Sequence, residues 1–139
     1  MELIREITNG PIVMDSSTVK EYLEEFRNED REFFIVLGLN AKNKVIYREV
    51  CSIGTLNCSL VAPREVFKKA IMLSCNAIIL AHNHPSGDYT PSDEDVKVTK
   101  TIKKCGELLG IKLLDHIIMG EKGEYSFNTN NWIVEGITT

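Results

Sequence analysis

The sequence predicts a mixed α/β (α+β) fold, one domain in which a central mixed β-sheet is flanked by about three helices. Three observations carry that expectation. Four runs, REFFIVLGLN, VIYREVCSIG, AIILAHNH and IKLLDHIIMG, are dense in β-branched, aromatic and aliphatic residues. Between and before them lie segments whose apolar residues repeat at helical spacing. The 139 residues also show no internal repeat, low-complexity tract or linker. They read as a single domain over 1–139, with its core at about 15–128.

In chain order, Ser16 and Ser17 precede TVKEYLEEF, where Val19, Leu23 and Phe26 fall on one side of an expected first helix of about three turns. REFFIVLGLN and VIYREVCSIG, joined by the polar AKNK, predict a two-stranded hairpin, and TLNCSLV a shorter extended piece. Pro63 opens PREVFKKAIMLSC as a second helix, since proline is tolerated at a first helical position. AIILAHNH is too uniformly apolar for a half-exposed strand and is placed centrally in the sheet. Ser92 starts a long third helix carrying Val98, Ile102, Cys105 and Leu109, which Gly110 ends where a left-handed cap is cheapest. IKLLDHIIMG and EYSFN form a second hairpin turning at Glu121–Gly123.

Composition excludes several classes. The longest apolar run is far short of the roughly 18 residues of a membrane span, and MELIREITNG is no signal peptide. Cys51, Cys58, Cys75 and Cys105 form no C-x-x-C pair and read as free thiols of a reducing compartment, which makes a cytoplasmic location the expectation. With 16 basic against 20 acidic side chains, the chain is poorly charged for DNA binding by this domain alone. Lys97, Lys100, Lys103 and Lys104 read as a solvated helix surface.

The chemistry concentrates in AIILAHNHPSGDYTPSDEDV, Ala77 to Val96. Side chains at i and i+2 of a strand share a side, so His82 and His84 converge while Ala81 and Asn83 face away. Pro85 keeps His84 extended. Paired imidazoles at a strand end suit two ligands of one divalent ion. Asp95, one turn into the next helix, is the best third ligand. Ser92-x-x-Asp95 is equally a helix-capping box, and the residues alone leave Asp95 open between the two roles. His116 reads as a satisfied structural histidine outside the site.

From His82 to Asp95 the string is H-x-H, seven residues, Ser, two residues, Asp. It resembles the JAMM motif of the JAB/MPN metallopeptidases, and HNHPSG with PS-x-x-D resembles the RadC branch. GTLNCSLVAPREVFKKAI and LGIKLLDHIIMG are similar to the same branch, so the likeness runs from about Glu32 to Phe127. It implies a cytidine-deaminase-like architecture with His82, His84 and Asp95 binding one Zn2+ per chain, and water completing the set. It further implies that Ser92 holds that water or the oxyanion, and that a glutamate before an early strand is the general base. The matching position is Glu32, with Glu49 and Glu65 as acidic rivals. The segment before Glu32 is too short for the helix-hairpin-helix DNA-binding region that many RadC-like proteins carry.

The resemblance implies hydrolysis of a peptide or isopeptide bond in an unidentified protein or peptide substrate. A zinc deaminase would need H-x-E and P-C-x-x-C, and neither is present. A metal-dependent nuclease or phosphoesterase, suggested by the DNA-repair label of the RadC family, would want more acids around the histidines than Asp88, Asp93 and Glu94. A non-catalytic JAB interaction domain is the remaining alternative. An uncovered sheet edge would allow pairing with a second copy.

Overall fold

Six strands form one sheet in the order β1-β3-β2-β4-β5-β6 in the computed structural model, which describes residues 3–8, 10–13, 16–54 and 61–130. The strands are β1 (Ile4–Glu6), β2 (Phe33–Leu39), β3 (Val45–Ile53), β4 (Ala77–Asn83), β5 (Lys112–Met119) and β6 (Glu124–Ser126). β4 and β5 run parallel and every other neighbouring pair is antiparallel. The sheet is therefore mixed, as expected. A parallel pair needs a long crossover, and here the helix α2 (Asp93–Leu109) supplies it. The helix α1 (Pro63–Met72) precedes β4, with Pro63 in its first turn.

Both expected hairpins are present, and β4 is buried along its whole length between β2 and β5. Strand parity divides the core in two. Phe34, Val36, Tyr47, Ile78, Leu80 and Ile118 point toward α1 and α2, where they meet Phe67, Val98 and Ile102. Ile35, Leu37, Ile79, Ala81 and Ile117 point the other way, onto Val19, Leu23 and Phe26. Those last three were expected on a three-turn helix. The backbone instead forms two 3-10 segments, Ser16–Tyr22 and Glu24–Phe26. The buried stripe is kept, but a Ser-Ser-Thr-Val start offers little α-helical propensity to hold the wider turn.

Two further differences bear on sequence reading. The strand β1 was not foreseen, because its three residues are all exposed and carry no alternation; β3 recruits it by backbone pairing. The extended reading of TLNCSLV lies outside the described residues apart from Val61. Among the described residues, Cys51, Cys75 and Cys105 are free thiols, and no helix is long and apolar enough to cross a membrane.

Candidate metal centre

Three elements deliver the chemistry-bearing side chains to one end of the sheet. β4 ends at Asn83, and the backbone N–H of His84 still bonds the Met119 carbonyl at 2.8 Å, so the His-Asn-His register persists past the strand. The loop then turns through Gly87, whose φ of +89° is a backbone conformation that favours glycine. It is tied back by Gly87 N–H to the His84 carbonyl at 2.9 Å and by Glu121 N–H to the Gly87 carbonyl at 3.0 Å. At α2, Ser92 Oγ accepts from Asp95 N–H at 3.1 Å and Asp95 Oδ2 accepts from Ser92 N–H at 2.8 Å, a complete capping box.

That box does not use up Asp95. Its Oδ1 lies 2.9 Å from His82 Nε2, and its Oδ2 lies 3.1 Å from His84 Nε2. The two Nε2 atoms are themselves 3.1 Å apart. One donor atom from each of His82, His84 and Asp95 falls within 4.8 Å of the others. Capping and convergence, which the residues alone left as alternatives, therefore hold together. The cap aims the carboxylate.

The donor set fits a divalent cation. His84 Nδ1 lies 2.7 Å from the Asp88 carbonyl, which can only accept, so Nδ1 carries a proton and the neutral ring turns the Nε2 lone pair inward. Two imidazole nitrogens and a carboxylate brought to about hydrogen-bond distance of one another favour a proton or a cation among them. Asp95 raises the pKa of His84, against the opposing effect of burial. Burial pushes Asp95 up, yet its close contacts with His82 and His84 prevail and hold it far below the usual carboxylate range. A His-His-Asp set leaves one tetrahedral position open. His82 and Asp95 side chains are 0% and 2% exposed against 13% for His84, so solvent reaches the cluster from the His84 side.

The acidic candidates separate by register. Phe34 pairs with His82, and Glu32, two residues before Phe34, falls on the same side by strand parity, the side of the histidines. Glu32 also contributes to the raised pKa of His84. Its backbone carbonyl accepts from Gly54 N–H at 2.8 Å, and Glu32 lines a cleft of about 320 Å3 with Arg31, Gly54 and Pro85. Glu49 faces the same side but pairs with Val36, level with Leu80 and one strand beyond β2, where it accepts from Cys51 Sγ at 3.4 Å. Glu65 sits in the first turn of α1, 62% exposed.

His116, left out of the site on sequence grounds, stands directly behind it. Its ring is fully buried, with Nε2 at 2.9 Å from His82 Nδ1 and Nδ1 at 2.6 Å from Thr99 Oγ1. Sequence parity required one of Asp115 and His116 to face inward or lie at an edge; in fact both are buried in β5. Asp115 is satisfied on the opposite face by Ser126 Oγ and by the backbone N–H groups of His116 and Asn128. The readable signal was two polar residues interrupting an apolar parallel strand. Their partners depend on the β4–β5 register, which pairs Leu80 with His116 after an irregularity at Leu114.

A buried sheet whose strand end and crossover helix bring His, His and Asp to one point defines an α/β domain with a candidate metal site. The model of the RadC-like JAB domain matches residues 13–132. A UPF0758 protein of Staphylococcus carnosus is 58% identical over 82% of this chain and 50% of its own length. Another, from Caldanaerobacter subterraneus subsp. tengcongensis, is 50% identical over 86% of this chain and 54% of its own. The chain belongs to the RadC-like JAB domain family. It spans about half the length of the curated relatives it matches.

Proposed function

We propose that this domain is a JAMM-type zinc metallohydrolase that cleaves a peptide or isopeptide bond. The convergence of His82, His84 and Asp95, with Glu32 near enough to His84 to contribute to its raised pKa, is the observation that supports this reading most. Bound there, zinc would supply Lewis acidity and lower the pKa of water from ~16 toward ~7. The chain's own groups do the rest. Glu32 would take the proton from the attacking water and return it to the leaving amine. Ser92 Oγ accepts its capping bond, which leaves the hydroxyl hydrogen to be donated to the developing oxyanion of the substrate carbonyl. Buried His82 and Asp95 exclude bulk water from one side of the reacting centre, and the cleft beside Glu32 gives an extended peptide access.

The test is metal analysis joined to turnover. The wild type should carry about one zinc per chain, and the double variant His82→Ala, His84→Ala none. Glu32→Gln should keep its zinc and lose roughly 10²- to 10⁴-fold in hydrolysis of a fluorogenic peptide library. Full zinc in the double variant would refute the ligand set. Equal loss on Glu49→Gln, with Glu32→Gln active, would move the base. A zinc-loaded wild type that turns over no amide would favour a non-catalytic interaction domain.

A further inference from the structure

Among the described residues, the ring nitrogens of His116 meet two polar partners, His82 Nδ1 and Thr99 Oγ1. Phe127 stacks on it at 5.1 Å and Phe34 meets it edge-on at 6.3 Å. The ring is fully buried, where an uncharged imidazole is favoured. A neutral imidazole has one donor and one acceptor, so the proton order through His82, His116 and Thr99 is all or none.

Two orders fit the chain of contacts. In one, the Thr99 hydroxyl donates to His116 Nδ1, His116 Nε2–H donates to His82 Nδ1, and the His82 proton is forced onto Nε2, facing Asp95. In the other, the Thr99 hydroxyl donates to the Asp95 carbonyl, 2.7 Å away, which can only accept. His116 Nδ1–H then donates to Thr99, His82 Nδ1–H donates to His116 Nε2, and His82 Nε2 is left bare. Only this second order presents a lone pair to a cation. The Asp95 carbonyl that selects it belongs to the same residue whose carboxylate meets His82 Nε2.

We infer that Thr99 and His116 are positioning residues that set the tautomer of His82, holding its proton on Nδ1 and its Nε2 open for metal. The inference rests on the His82, His84 and Asp95 site proposed above. Partners behind a metal-bound histidine fix its ring and tautomer, and their loss costs about 10- to 100-fold in affinity. Thr99→Val keeps the shape but takes the acceptor from His116 Nδ1, so the proton chain should reverse.

The experiment uses the full chain, labelled with nitrogen-15 at histidine, as wild type, Thr99→Val and Thr99→Ser. Long-range proton–nitrogen spectra of the zinc-free protein read the tautomer, competition with a chromophoric chelator reads zinc affinity, and thermal melts read folding. The expected result is His82 protonated on Nδ1 in wild type and Thr99→Ser and on Nε2 in Thr99→Val. Zinc should bind about 10- to 100-fold more weakly to Thr99→Val and within about threefold of wild type to Thr99→Ser. A Thr99→Val protein that melts lower but keeps the wild-type tautomer and zinc affinity would make Thr99 merely structural and overturn the inference alone. A wild type that binds no zinc would overturn the metal reading and this inference together.

Discussion

Asn83 Oδ1 accepts the backbone N–H of Phe33 at 2.7 Å, while its amide nitrogen donates to the Arg31 carbonyl at 2.9 Å. One fully buried side chain thus brackets Glu32 from both sides, across a separation of fifty residues in the chain. The middle residue of His-Asn-His faces away from the ligands and fixes the backbone of the proposed base.

Asn83→Ala should therefore cost about 1–3 kcal/mol, the penalty for leaving the Phe33 N–H buried and unpaired. Urea denaturation would measure it. Zinc uptake should stay near wild type, since Asn83 lies on the opposite face from the histidines, while any hydrolysis should drop as Glu32 loses its frame.

Asp95→Asn separates the two roles of Asp95. The amide oxygen can still accept from Ser92 N–H, so the capping bond is kept, and the zinc-free protein loses the carboxylate's contacts with His82 and His84. Ligation is lost with the carboxylate. Zinc at about 100 times its Kd should stabilise the wild type by ~2.7 kcal/mol and the variant negligibly, read as a shift in Tm.

Gly38→Ala tests the close approach of β2 and β3. A methyl carbon there would fall 1.8 Å from Tyr47 Cε1, and Tyr47 is fully buried. Overpacking of this kind costs about 1–3 kcal/mol, visible as a lower urea midpoint with an unchanged slope.

Asp115 gives a pH signature. Burial raises its pKa above the ordinary 3.8, and the bonds from Ser126, Asn128 and His116 offset that only in part. As pH rises, the unfolded chain releases this proton first, so ionisation favours unfolding. Wild-type stability relative to Asp115→Asn should be greatest below pH 3.8, fall as pH rises through the raised folded value, and stay level above it. Paired denaturation curves across the acid range would show this slope; a difference that grows with pH would contradict it.

Much of the site was legible because it is local. His82, His84, Ser92 and Asp95 lie within one strand, one loop and one helix turn, where parity and capping rules suffice. The strand centrality of AIILAHN followed from its unbroken apolar character. What escaped depends on register between distant segments. The contact of His116 with His82 needs the parallel β4–β5 alignment, which cannot be counted along the chain. The 3-10 backbone around Val19 and Leu23 was missed for a different reason: its buried stripe satisfies either helix type.

The loop from Pro85 to Pro91 separates two ligands from the third, and its residues other than Gly87 and Pro91 are exposed. A protease clipping it at Ser86 would leave both histidines on one fragment and the aspartate on the other. An ion shared among them would then act as a non-covalent rivet across the break. The nicked protein would hold together in zinc and loosen in chelator, so a gel could report on coordination without any substrate at all.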